Sequence, residues 1–288
     1  MLRERARAKI NLYLHVGGRR ADGYHALQSL VCFTDAGDDL EFEHASDLRL
    51  ELDGPFGSEL DANDNNLVLR AAHALARTAG ISSGAHIRLS KALPVASGIG
   101  GGSADAAATL RGLSRLWELS LEPIQLERIA LELGSDVPVC LLSKPAQMSG
   151  RGEHVDKVEG LPQLPMLLVN PRIAVSTASA FRHLGRSEDD SPPDALTWPG
   201  SLTAQDLVEW LKGARNDMQD AACNIAPEIG EVLGLLEHTG ALISRMCGSG
   251  ATCYGIFGEV ASCERAAQTI ASAQPKWWVC PTRIAGRV

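Results

Sequence analysis

Between positions 8 and 16, apolar and polar residues alternate without a break. Ala8, Ile10, Leu12, Leu14 and Val16 take one side, and Lys9, Asn11, Tyr13 and His15 the other. A period of two predicts a strand with one buried face. A lysine on such a strand is ordinarily solvated, yet Lys9 and Asn11 would project side by side as a donor pair suited to an anion or a hydroxyl. A loop over 17–23 carries a turn signal at Asp22-Gly23. Strands are predicted over 26–33, 40–42 and 48–52. The polar stretch 61–66 offers Asn65 or Asn66 as an N-cap for a helix over 67–79. Alternation returns over 85–90.

The most informative stretch of the chain comes directly after that strand: Leu93-Pro94-Val95-Ala96-Ser97-Gly98-Ile99-Gly100-Gly101-Gly102-Ser103-Ala104-Asp105-Ala106-Ala107-Ala108. A glycine cluster lies between a strand pattern and an alanine-rich helix. Glycine lets successive backbone N–H groups turn toward one point, and the first turn of a helix adds unpaired N–H groups and a positive dipole end. The combination is an anion cradle. It is not a Walker loop, because no lysine stands at the helix start. It is not a dinucleotide fingerprint, because Ser103 occupies the third glycine slot and Lys91 to Ser97 intervene after the strand.

The second half reads as a helix over 123–133 closed by Gly134, then Gly134-Ser135-Asp136-Val137-Pro138, in which Asp136 is placed to cap a further helix. A buried strand is predicted over 166–171, and an exposed acidic, proline-bearing loop over 186–200. Asn216-Asp217 precedes a helix over 225–238. Strand, glycine turn and strand occupy 242–257, followed by a helix over 259–274 and a strand over 277–280.

Composition narrows the function classes. At 288 residues the chain suggests about two domains. Hydrophobic residues make up 45% and charged residues 22%, and the net charge of −8 disfavours a general nucleic-acid-binding role. An anion site must therefore be built locally. No apolar run is long enough to span a membrane, and the first residues lack the apolar core of a signal peptide. Seven scattered cysteines without a C-x-x-C pair fit reduced thiols in a cytoplasm.

The glycine stretch resembles the P-x-x-x-G-[IL]-G-x-x-[SA]-[SA] loop of the GHMP kinases, with Pro94, Val95, Ala96, Ser97, Gly98, Ile99, Gly100, Gly101, Gly102, Ser103 and Ala104 in its positions. The N-terminal pattern A-K-I-N-L-x-L…R-x-D-G-Y-H-x-L-x-[ST] is similar to the members that phosphorylate a cytidine diphosphate-linked methylerythritol on the way to isoprenoid precursors. The resemblance implies an α+β fold in two domains, 1–160 like ribosomal protein S5 domain 2 and 161–288 ferredoxin-like. It implies ATP as co-substrate, with Mg²⁺, and small-molecule partners rather than nucleic acid or membrane. The glycine loop would hold the phosphates, with Asn66 and Lys91 near the nucleotide. Asp136 would accept or orient the hydroxyl proton, and Lys9 would pair with it. Asn11, Tyr24, His25, Thr177 and Phe181 would bind the other substrate, Tyr24 and Phe181 sandwiching the cytosine while His25 reads its edge. Each carry-over has a plainer alternative: Asn66 as a cap only, Phe181 as core, the Tyr24-His25 pair as surface packing. Ala96, Ser97 and Ala104 depart from the glycines and serine common at those positions. That leaves Ser103 as the one hydroxyl over 98–104. Two rival readings are a GHMP kinase for homoserine or mevalonate, which offer no base for Tyr24 and His25, and an S5-like nucleic-acid-binding protein, which the charge and the Gly-x-Asp-Val-Pro motif oppose.

Overall fold

The computed structural model describes residues 1–21, 23–186, 190 and 196–285. Asp22 of the predicted turn, and most of the loop expected over 186–200, fall outside the described residues. The elements run β1 (Leu2–Arg19), β2 (His25–Ala45), β3 (Leu48–Asp53), α1 (Leu67–Ala79), β4 (Gly84–Ser90), α2 (Gly101–Leu116), α3 (Pro123–Leu133) and α4 (Val137–Leu142). After these come β5 (Ala146–Gly150), β6 (His154–Lys157), β7 (Pro165–Asn170), α5 (Thr177–Leu184), α6 (Ala204–Lys212), α7 (Gln219–Ile225), α8 (Glu228–His238), β8 (Ile243–Met246), β9 (Cys253–Ile256), α9 (Val260–Ala273) and β10 (Trp278–Arg283).

By packing, the chain forms two compact units, each assembled from separated segments. The first takes Met1–Lys9, Gly37–Val95 and Gly100–Ser143; the second takes Ile10–Ala36, Ala96–Ile99 and the chain from Lys144 onward. Both long strands and the glycine loop therefore contribute residues to each.

In the first unit β3 runs parallel to β4, from Leu48 opposite Ala85 to Asp53 opposite Ser90. The second half of β2 pairs antiparallel with β4, from Asp39 opposite Ser90 to Ala45 opposite Gly84. Helices α1 to α4 pack on one another. Gly112 of α2 lies directly on the Phe42 ring, which occupies the place a Cβ would need.

In the second unit β7, β8, β9 and β10 form an antiparallel sheet in the order β10-β7-β9-β8. Numbered by appearance these are strands 4-1-3-2, with helices between the first and second and between the third and fourth. That is the ferredoxin-like arrangement anticipated for the C-terminal part. Its core joins Leu14, Val16, Leu167, Val169, Ile229, Leu236, Phe257 and Ile270. The first half of β2 pairs with β5, and β5 with β6, in the same unit.

Three expectations are corrected. The strands predicted over 26–33 and 40–42 are one strand, β2. The Asp-Ala-Gly-Asp-Asp stretch between them is extended, and Gly37 lies where a Cβ would stand 2.5 Å from the Ala6 carbonyl oxygen, so only glycine permits the approach. The polar side of β1 is buried as well as the apolar side: Lys9, Asn11, Tyr13 and His15 are all at most 4% exposed. The helix predicted over 225–238 begins at Glu228, since Pro227 cannot donate the N–H that would continue α7. Elsewhere α1, α3 and the strands over 48–53 and 84–90 agree with the expected positions to within a residue.

Gly112→Ala should destabilise the first unit. Overpacking costs about 1–3 kcal/mol, against about 1 kcal/mol gained in helix propensity. The melting midpoint should fall, and Phe42→Leu should restore much of the loss in the double variant. A Gly112→Ala protein as stable as the parent would show that α2 can shift away from the ring.

Candidate active site

The glycine loop is shaped from both flanks. Gly98 and Gly100 hold φ of +78° and +66°, and Ala96 holds +51°. Helix α2 begins at Gly101 with Gly100 as its N-cap, and no side chain caps it. Its first N–H groups are thus left for an anion. Within the second unit, the Ser97 carbonyl accepts bonds from the Thr252 amide (3.1 Å) and hydroxyl (2.6 Å). Asn170 donates to that hydroxyl at 2.8 Å. A Cβ on Gly98 would run into the Gly250 carbonyl and stand 2.9 Å from the Cys247 oxygen, and one on Gly248 would stand 2.7 Å from the Gly98 oxygen. The glycine turn between β8 and β9 therefore packs on the loop.

In the first unit, Lys9 Nζ lies 2.9 Å from Asp136 Oδ2. Lys9 is buried, whereas the Asp136 side chain is 37% exposed. Asp136 occupies the N-cap position of α4, but its side chain makes no capping bond. The expected capping role is corrected: the carboxylate is aimed by the lysine and not by the helix. A Cβ on Gly100 would stand 3.2 Å from Lys9 Cβ and Cε, so the start of α2 lies against the stem of this lysine. The pair places a part-exposed carboxylate and a cation beside the uncapped start of α2.

The two residues expected near the nucleotide are otherwise engaged. Asn66 caps α1, accepting from the Val68 amide at 3.0 Å and donating to the Asp61 carbonyl at 3.0 Å. Lys91 is buried and bonds Asp38 at 2.5 Å and Asp105 at 2.7 Å. Burial works against the Lys91 charge, but Asp105 and Asp38 outweigh it and hold the ammonium above the usual lysine range. One ammonium cannot fully serve two buried carboxylates. Burial, with Asp38 beside it, pushes the Asp105 carboxyl above the usual range despite Lys91. Sequence reasoning missed Asp38 and Asp105. A lone aspartate amid the alanines of α2 was a signal; Asp38, between two predicted strands, gave none.

The remaining residues lie in the second unit. Asn11 is buried and donates to Ser29 Oγ at 2.8 Å. Thr177 Oγ1 and Ser249 Oγ are 2.9 Å apart. Tyr24 is 53% exposed, with the Arg151 guanidinium 5.1 Å from its ring centre. The ring facing Phe181 is that of His25, at 5.0 Å and nearly parallel. His25 Nδ1 lies 3.2 Å from the Gly17 carbonyl, which can only accept, so the neutral ring presents Nε2 as an acceptor. The structure thus stacks Phe181 on His25 and gives Tyr24 an arginine neighbour that the sequence did not announce.

Comparison with known proteins agrees with this architecture. The GHMP kinases N terminal domain matches residues 66–144 and the GHMP kinases C terminal domain residues 200–276. A 4-diphosphocytidyl-2-C-methyl-D-erythritol kinase of Parvibaculum lavamentivorans is 49% identical, the match covering 96% of each chain. One of Rhizobium etli is 48% identical over 97% of this chain and 93% of its own. The chain belongs to the 4-diphosphocytidyl-2-C-methyl-D-erythritol kinase family. A crystal structure of 4-(cytidine 5'-diphospho)-2C-methyl-D-erythritol kinase superposes with a TM-score of 0.79 at 33% identity, covering 99% of this chain and 100% of its own. A homoserine kinase from Cytophaga hutchinsonii, at 18% identity and a TM-score of 0.70, shares the fold. Membership in the 4-diphosphocytidyl-2-C-methyl-D-erythritol kinase family accounts for the α+β architecture and for the motif order along the chain.

Gly98→Ala should lower affinity for ATP by more than about tenfold, or 1.4 kcal/mol. The new methyl must displace the 247–252 turn and adopt a left-handed conformation. Titration of the folded variant with ATP checks this; unchanged affinity would mean that the loop is not the phosphate cradle.

Proposed function

We propose that this chain transfers the γ-phosphate of ATP to the 2-hydroxyl of 4-diphosphocytidyl-2-C-methyl-D-erythritol, in the non-mevalonate pathway to isoprenoid precursors. The observation that carries the reading is the Lys9–Asp136 pair, whose carboxylate is part-exposed and free of any capping duty. Phosphoryl transfer through a loose transition state asks mainly for positioning and charge neutralisation. In this reading the stretch from Pro94 to Ala104 wraps the phosphates, with backbone N–H groups of its glycine segment turned toward them. Asp136 takes or orients the proton of the attacking hydroxyl, and Lys9 aims Asp136 and balances charge on the transferring group. Tyr24, His25 and Phe181 grip the cytosine, with His25 Nε2 suited to accept from its exocyclic amine. Asn11 and Thr177 complete the polyol and phosphate contacts.

Mg²⁺ belongs to the same reading. Among the described residues no three His, Cys, Asp or Glu side chains are grouped to hold a metal, but Mg²⁺ bound with a nucleotide needs only one or two protein oxygens. The Ser103 hydroxyl in the first turn of α2 and the Asp136 carboxylate are hard oxygen donors that fit it. Held there, the ion would neutralise negative charge on the transferring group. The division into domains 1–160 and 161–288 is kept as one of family modules, supported by matches on either side of it. Among the described residues no helix is long and apolar enough to cross a membrane. A cytoplasmic setting without nucleic-acid partners suits the net charge of −8 and the scattered cysteines.

An ADP-release assay with ATP and 4-diphosphocytidyl-2-C-methyl-D-erythritol tests the activity. Turnover confined to homoserine or mevalonate would overturn it. Asp136→Asn should reduce kcat by about 10²–10⁴-fold. Its melting midpoint should fall, because the buried Lys9 ammonium loses its counter-charge although the amide oxygen still accepts from it, so kcat is compared at a temperature where circular dichroism shows the variant folded.

Base–aromatic stacking contributes about 1–3 kcal/mol per contact. Tyr24→Ala should therefore raise KM for the cytidine substrate roughly 5- to 150-fold, with KM for ATP nearly unchanged and Tyr24→Phe much milder. Equal damage to both KM values would make Tyr24 structural.

A further inference from the structure

Asp38, Lys91 and Asp105 form a charged cluster that the reaction itself does not use. All three are at most 2% exposed. Asp38 arrives from β2. Its Oδ1 accepts from the Ala92 amide at 2.6 Å and the Leu93 amide at 2.8 Å, and its Oδ2 accepts from Lys91 Nζ at 2.5 Å. The same ammonium reaches Asp105 Oδ2 at 2.7 Å on the second turn of α2. Ala92 and Leu93 lead into the glycine loop, and Asp105 comes after it. The Lys91 backbone is also held, its amide donating to the Asp53 carbonyl at 2.8 Å and its carbonyl accepting from the Phe56 amide at 3.1 Å. Gly101, the first residue of α2, leaves the room: a Cβ there would stand 3.1 Å from Lys91 Nζ.

Burying charges is costly unless they are paired and hydrogen-bonded. A buried cluster with two carboxylates for one ammonium is a poor way to stabilise a fold. It is a precise way to set the distance between two chain segments, because charge-assisted bonds are short and directional. We propose that Asp38, Lys91 and Asp105 are positioning residues that clip the entry and exit of the phosphate loop together, fixing the aim of its N–H groups at the nucleotide phosphates. Lys91 then acts on the nucleotide through the loop and not by touching it. The proposal rests on the loop being the phosphate cradle, which binding of ATP and inorganic tripolyphosphate to the parent protein tests separately.

Asp38→Asn keeps an acceptor for the two amides but loses the bond to the Lys91 ammonium. Affinities for ATP and for inorganic tripolyphosphate should fall by the same factor, about ten- to a hundredfold, as misplacement by roughly an ångström produces. KM for the cytidine substrate should stay within about twofold. Asp105→Asn retains an oxygen for Lys91 and should come closer to the parent, whereas Asp105→Ala should match Asp38→Asn. If Asp38→Asn does not fold, Asp105→Ala, which spares the strand end, supplies the same reading. Unchanged tripolyphosphate affinity in a folded Asp38→Asn or Asp105→Ala protein overturns the proposal. So does a loss for ATP with none for tripolyphosphate, because Lys91 would then be reading the nucleoside.

Discussion

A loop that presents backbone N–H groups to an anion has almost no side chains with which to hold its own shape. Glycine supplies the positive φ at Gly98 and Gly100, but the same freedom makes the loop entropically expensive to order. Its conformation must therefore be imposed by neighbours. In one unit the Thr252 hydroxyl and amide hold the Ser97 carbonyl. In the other, Asp38 holds the amides of Ala92 and Leu93, while Lys91 ties that segment to Asp105. Ala96 shows how far this control extends, since it holds a left-handed φ that an L side chain adopts only at a cost of about 1–2 kcal/mol.

The placement of Asp136 obeys a related logic. A residue at an N-cap ordinarily turns its oxygen back on the helix. Here the carboxylate turns instead to Lys9, a buried cation on the first strand. Nothing local to α4 would favour that direction. The buried ammonium needs a counter-charge, and Asp136 answers it while remaining part-exposed to a reactant.

Much of this was legible along the chain, and the physical reason differs from element to element. Helices α1 and α3 arise from apolar spacing and from caps at Asn66 and Gly134, all local properties. The glycine loop was legible because its composition has few other uses between a strand and a helix. The pairing of Lys9 with Asp136 came from the family resemblance and not from spacing, since 126 intervening residues carry no local signal.

What the sequence by itself determined was the order of elements, a glycine loop opening a helix and the residue types able to do phosphoryl chemistry, because these rest on backbone freedom and short-range periodicity. Only the tertiary structure decided that the strands predicted over 26–33 and 40–42 are one, since the close approach of Gly37 to Ala6 is a contact between distant segments. It likewise decided that the polar face of β1 is buried and that Lys91 serves two carboxylates. It also set Phe181 against His25. A side chain's local pattern says whether it can be buried; whether a charge or ring meets a partner depends on chain segments far away in sequence, and burial without that partner would be prohibitive.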